Sequence, residues 1–145
     1  MNAYDKINDT LVNLFHDILK LEEEAIITEE FKDLTNNDMH IIEAVGLSEG
    51  NTMSAVARKL GITAGSLTTS VNSLVNKKYV ERKRSEEDRR VVFITLTEKG
   101  VKAYRHHSEY HRKMTEAVLA SLEEEEVPVL MKTLESLTKF FRGYQ

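Results

Sequence analysis

Two groups of side chains have the types and spacing to do chemistry. The first is a charged run, Ser85-Glu86-Glu87-Asp88-Arg89-Arg90, preceded by Lys77, Arg82 and Arg84. A guanidinium is planar and permanently charged, and its fork of donors suits phosphates and base edges. Upstream, Ser66, Thr68, Thr69, Asn72 and Ser73 fall opposite Leu67, Val71, Leu74 and Val75 at helical spacing. Their face is polar and uncharged, whereas a merely solvated helix face would favour Glu and Lys over poor helix formers such as Ser, Thr and Asn. Short hydroxyl and amide groups of this kind can approach base edges closely enough to read donors and acceptors in the major groove. The second group is histidine. His107 and His111 stand at i and i+4, a metal-ligand spacing, and His40 with Glu23 or its neighbours Glu22 and Glu24 would complete a zinc set. Packing and hydrogen bonding where helices meet, or lining a ligand pocket, are the other roles open to these histidines.

Charge distribution favours the nucleic-acid chemistry. Residues 1–57 carry three Lys against twelve Asp/Glu, residues 58–90 nine Lys/Arg against four, and residues 91–145 eight of each. A basic island in a chain of net charge -4 is what a localised phosphate-binding surface would look like. Enzymatic readings fare poorly: there is no cysteine, no Gly-rich phosphate loop and no nucleophile elbow. No catalytic residues, and no enzyme, are expected. The absence of cysteine also excludes disulfides and thiolate metal sites. No apolar run approaches the ~18 residues of a membrane span, and the N-terminal residues lack a leader pattern, so a cytoplasmic location is expected.

The elements that must position these groups are mostly helical. Ile7, Leu11, Leu14, Phe15, Ile18 and Leu21 mark one face of a long helix running to about Ile26. Thr35-Asn36-Asn37-Asp38 reads as a capping box opening a second helix that ends near Gly46. A third helix runs from a cap at Thr52 to a stop at Gly61, and a fourth opens at Thr63. The period then changes to two, predicting strands around Val80–Arg84 and Val91–Leu96 with a charged projecting tip. A fifth helix follows Thr97, and a last one is expected to start between Ser121 and Glu124 with Pro128 in its first turns. Helix, helix, tight turn, polar helix and basic hairpin together make a winged helix-turn-helix. Leu130, Leu134, Leu137 and Phe141 give the last helix more apolar face than one intramolecular contact would cover, suiting a two-fold dimer.

The segments Met53-Ser54-Ala55-Val56-Ala57-Arg58-Lys59-Leu60-Gly61-Ile62, Tyr79-Val80-Glu81-Arg82, Asp88-Arg89-Arg90 and Leu96-Thr97-Glu98-Lys99-Gly100 resemble the MarR family of transcriptional regulators over essentially the whole chain. The resemblance implies one mainly α domain over residues 1–145 with six helices and a two-stranded wing. Helices at about 1–30 and 122–145 would dimerise it, 35–97 would bind DNA, and 98–120 would connect them. It implies that Asp88 braces Arg90, that Arg90 probes a minor groove, and that double-stranded DNA with a pseudo-palindromic operator is the partner. Arg89 would accompany Arg90 at the wing tip, with Lys77, Arg82 and Arg84 at phosphates. An effector would sit among Ile18, Leu21, His40, Ile41, Tyr104, His107 and His111. Within the family, Arg84 to Val92, Phe31-Lys32-Asp33 and Asp38-Met39-His40 are most similar to repressors of type II fatty acid biosynthesis genes. That likeness implies long-chain acyl-acyl carrier protein as co-repressor, docking on the basic region or on Arg105, Arg112 or Lys113. Zinc-responsive members of the family are the alternative, through Glu23, His40, His107 and His111.

Overall fold

Hydroxyl and amide side chains set where the helices begin. In the computed structural model, which describes residues 2–144, Asn2 caps helix α1 (Ala3–Ile26) by accepting a hydrogen bond from the Asp5 amide at 2.8 Å. Helix α2 (Asn36–Val45) opens on the reciprocal box expected from the sequence. Thr35 Oγ1 accepts from the Asp38 amide (3.1 Å), and Asp38 Oδ2 accepts from the Thr35 amide (3.0 Å). Thr52 caps α3 (Met53–Leu60) through the Ala55 amide, and Thr63 caps α4 (Ala64–Asn76) through the Ser66 amide, both at 3.1 Å. Gly61 ends α3 in the left-handed region at φ +67°, which costs glycine little, and the chain enters α4 within three residues.

The wing is a short antiparallel ladder of β1 (Val80–Arg84) and β2 (Val92–Leu96), registered from Val80 opposite Leu96 to Arg84 opposite Val92. Val91, expected in the second strand, lies in the tip: its amide donates to the Asp88 carbonyl (2.9 Å) and its carbonyl accepts from the Ser85 amide (2.8 Å). Only the root of β1 is buried, so the hairpin projects beyond Val80. Its base is tied to the loop before α3: the Ile94 amide donates to the Asn51 carbonyl (2.9 Å), and the Asn51 side-chain amide donates to the Val45 carbonyl.

The core places Leu67, Val71 and Leu74 of α4 against Met39, Ile41, Ile42 and Val45 of α2, Val56 of α3, Ile94 of β2, and Tyr79. Helix α5 (Glu98–Ala120) leaves the wing through a contact that only glycine allows. A Cβ on Gly100 would fall 2.0 Å from the Tyr79 carbonyl oxygen. That oxygen accepts from the Thr97 amide (3.0 Å), while Thr97 Oγ1 donates to the Lys78 carbonyl (2.6 Å).

The chain forms two compact units, one ending at Ser108 and one starting at Glu109. In the second, the acidic run forms a 3-10 turn (Glu124–Glu126) and α6 begins later than expected, spanning Val127–Arg142. A helix started at Glu124 would carry Pro128 beyond its first turn, where the ring clashes with the carbonyl four residues back; starting at Val127 keeps Pro128 in that turn. Val129, Met131, Leu134, Phe140 and Phe141 on α6 are exposed, as are Ile7, Val12, Leu14, Phe15 and Leu19 on α1 within the first unit. Among the described residues, no helix is long and apolar enough to cross a membrane.

Candidate nucleic-acid interface

Helix α4 is anchored by Leu67, Val71 and Leu74, which leaves Ser66, Thr68, Thr69 and Asn72 exposed and Ser73 half-buried. Thr68 Oγ1 donates to the Ala64 carbonyl at 2.8 Å and Thr69 Oγ1 to the Gly65 carbonyl at 3.2 Å. Ser66 Oγ accepts from Thr63 Oγ1 at 3.0 Å. The helix surface is therefore polar but carries no charge along its length.

Beside it stands the wing. Arg90 Nε and Nη2 donate to Asp88 Oδ1 and Oδ2, each at 3.1 Å, and the Arg90 amide also donates to Asp88 Oδ1 at 3.0 Å. Bidentate pairing holds the guanidinium plane while its side chain stays 90% exposed. The Arg90 side chain, and then its amide, keep the Asp88 carboxyl below the usual range; Asp88 in turn raises the Arg90 pKa. Arg84 Nη1 donates to the Arg89 carbonyl (2.7 Å), fixing the tip, while Arg82 and Arg89 are exposed. Between α4 and the hairpin lies an open cleft of about 510 Å³ lined by Met53, Thr68, Arg82, Arg84 and Val92.

Lys77 departs from the phosphate role expected of it. Its ammonium lies 3.0 Å from Asp38 Oδ2, with the lysine side chain 28% and the carboxylate 7% exposed, because the end of α4 packs over the start of α2. Sequence reasoning also missed a polar node at the wing root. The buried Tyr79 donates its hydroxyl to Asp33 Oδ1 (2.6 Å), and Lys99 Nζ sits 4.3 Å from the Tyr79 ring centroid and 3.7 Å from Asp33 Oδ2. Burial and then the Asp33 hydrogen bond raise the Tyr79 pKa. Burial alone would raise that of Asp33, but the Tyr79 hydroxyl and then Lys99 hold it low.

The residues expected around an effector differ in exposure. Ile41 is part of the core with Tyr104 packed against it, Ile18 is half-buried, and Leu21 and His40 are exposed. His107 is buried, with Nε2 3.2 Å from Glu22 Oε1 and Nδ1 3.7 Å from Glu43 Oε2. The carboxylate it meets belongs to Glu22, whereas Glu23 and His40 face solvent. Of the three glutamates expected to complete a zinc set, Glu22 is the one that α1 turns inward, in place of Glu23. His111 belongs to the second unit, where it packs edge-on against Tyr110. Arg112, expected as a docking cation, is paired with Glu109 and Glu116, and like Arg105 and Lys113 it is exposed.

A short-turned helix pair whose second helix is polar and charge-free, beside an arginine-tipped hairpin, defines a winged helix-turn-helix. Residues 32–91 match the model of the MarR family. The regulator BilQ of Clostridium symbiosum is 32% identical over 70% of both chains, and the regulator PchR of Bacillus subtilis 26% identical over 97% of this chain and 81% of its own. Streptococcus pneumoniae FabT, solved in complex with DNA, is 39% identical and superposes with a TM-score of 0.86, covering 98% of this chain and 99% of FabT. The chain belongs to the MarR family of DNA-binding transcriptional regulators.

Proposed function

We propose that this protein is a cytoplasmic homodimeric repressor of fatty acid biosynthesis genes that binds a pseudo-palindromic operator. Ser66, Thr68, Thr69, Asn72 and Ser73 enter the major groove, Arg90 enters the minor groove, and Arg82 and Arg84 hold the strand crossing the cleft between them. The observation that carries this reading is the exposed Arg90 guanidinium, oriented by Asp88 beside a charge-free polar helix. A narrow A·T-rich minor groove has enhanced negative potential and attracts such an arginine. The exposed apolar faces of α1 and of α6 supply surface for a second copy, and two copies supply two half-sites.

The likeness to FabT, with the run Arg84 to Val92, supports long-chain acyl-acyl carrier protein as co-repressor. A ligand shifts DNA affinity only through its differential affinity for two dimer conformations, typically by ~1 to 3 kcal/mol, roughly 5- to 150-fold. Zinc is the second reading, favoured by one observation: buried His107 has a carboxylate facing each ring nitrogen, Glu22 and Glu43. One gel-shift series on promoters of fatty acid biosynthesis genes separates the two. It adds acylated carrier protein, uncharged carrier protein, and zinc with or without chelator. A shift strengthened by the acylated carrier alone supports the lipid reading. A shift switched by zinc alone replaces it.

A further inference from the structure

We infer that α4 reads A·T base pairs, using Asn72 against adenine and the methyl groups of Thr68 and Thr69 against thymine. This rests on α4 lying in a major groove, as proposed above, and adds which bases it meets there. The commonest specific contact to guanine is a bidentate Arg or Lys on O6 and N7, and α4 carries neither. The cations of this region lie on α3 (Arg58, Lys59), just past the end of α4 (Lys77, Lys78), on β1 (Arg82, Lys83, Arg84) and at the wing tip (Arg89, Arg90). Asn72 is exposed, and among the described residues its amide is not tied to any other group. A free carboxamide pairs with adenine N6 and N7, offering one acceptor and one donor.

The two threonines are constrained differently. Each hydroxyl proton is committed to a helix carbonyl, Thr68 to Ala64 and Thr69 to Gly65. What remains to present outward is a methyl group and an oxygen lone pair. The methyl matches the C5-methyl of thymine, the one apolar group on a major-groove base edge, and the lone pair can accept from an exocyclic amine. Thr68 and Asn72 are four residues apart and so share one face of the helix, which lets adjacent bases be read together.

The test separates this inference from the reading beneath it. Binding sites are selected from random duplexes with the full-length protein, and the winning duplex is remade with uracil for thymine or with 7-deazaadenine for adenine. The half-site cores are expected to be A·T pairs. Uracil should weaken binding roughly fourfold per contacted methyl. The Thr68→Ser, Thr69→Ser double variant, which keeps both hydroxyls, should bind thymine and uracil duplexes alike. Asn72→Ala should lose sensitivity to 7-deazaadenine. Guanine-containing cores, or wild-type binding indifferent to uracil, would overturn the inference while leaving DNA binding in place. Recovery of no preferred duplex would remove the DNA-binding reading itself, and this one with it.

Discussion

Arg90 and Asp88 work as a pair because the arginine must be both exposed and oriented. Replacing Arg90 with Ala should weaken operator binding roughly tenfold and lower the salt dependence by about one counterion, with the oligomeric state unchanged. Fluorescence anisotropy across a salt series, with sedimentation, measures both, and unchanged affinity would refute the wing assignment. Asp88→Asn should cost less, since the guanidinium keeps its charge and loses only its bidentate partner. The Asp33 and Tyr79 pair predicts a pH profile. The Asp33 carboxyl is held below its ordinary range when folded, so its contribution to stability is present above that range and lost as pH falls through it. The Tyr79 pKa is raised when folded, so its contribution is complete below the ordinary tyrosine value and lost at higher pH. Stability to urea should therefore be flat near neutrality and fall at both ends; Tyr79→Phe should abolish the alkaline fall. The Asp88 and Arg90 pair was legible in the sequence through the likeness of Asp88-Arg89-Arg90 to the wing of the family. Asp33 with Tyr79 and Asp38 with Lys77 were not, because 46 and 39 residues separate them and only the fold brings them together.

Caps and close approaches decide where elements start and how they join. Thr35→Ala removes half of the α2 capping box and should cost about 1 kcal/mol, read as a lowered urea midpoint at unchanged slope. Gly100→Ala is the more severe change. Its methyl would have to displace the Tyr79 carbonyl that also accepts the Thr97 amide, so roughly 2 kcal/mol or more should be lost. Calorimetry that found Gly100→Ala as stable as the parent would show that α5 can leave the wing by another path. Hydroxyl caps at Thr35, Thr52 and Thr63, and the stop at Gly61, were readable because capping is a local pattern. The start of α6 was misplaced because the acidic run looked like a helix start, although Pro128 dictated a later one. Gly100 stood in a segment resembling the family, but its steric reason was not readable, since the atom it makes room for belongs to Tyr79.

The whole molecule combines a basic reading surface with an acidic first third, and it presents apolar helix faces to solvent. A repressor that reads a pseudo-palindrome needs two copies, so Leu134→Glu combined with Phe141→Glu should give a monomer by sedimentation. Operator affinity should fall along with dimerisation, although every DNA-facing residue is retained. A variant that remains dimeric would place the seam elsewhere than on α6. Apolar periodicity made this surface visible in the sequence, whereas it does not separate a core position such as Ile41 from a pocket wall, so the effector residues rest on the family resemblance alone. Sequence-specific binding through α4 and the wing underlies every role proposed above. The most direct measurement is the affinity of the wild-type protein for its selected duplex against a scrambled duplex of the same composition at fixed salt. A preference of about a thousandfold or more, reduced in Asn72→Ala by loss of discrimination and in Arg90→Ala by loss of affinity, is the expected result. Equal affinity for both duplexes would exclude sequence-specific binding through α4 and the wing.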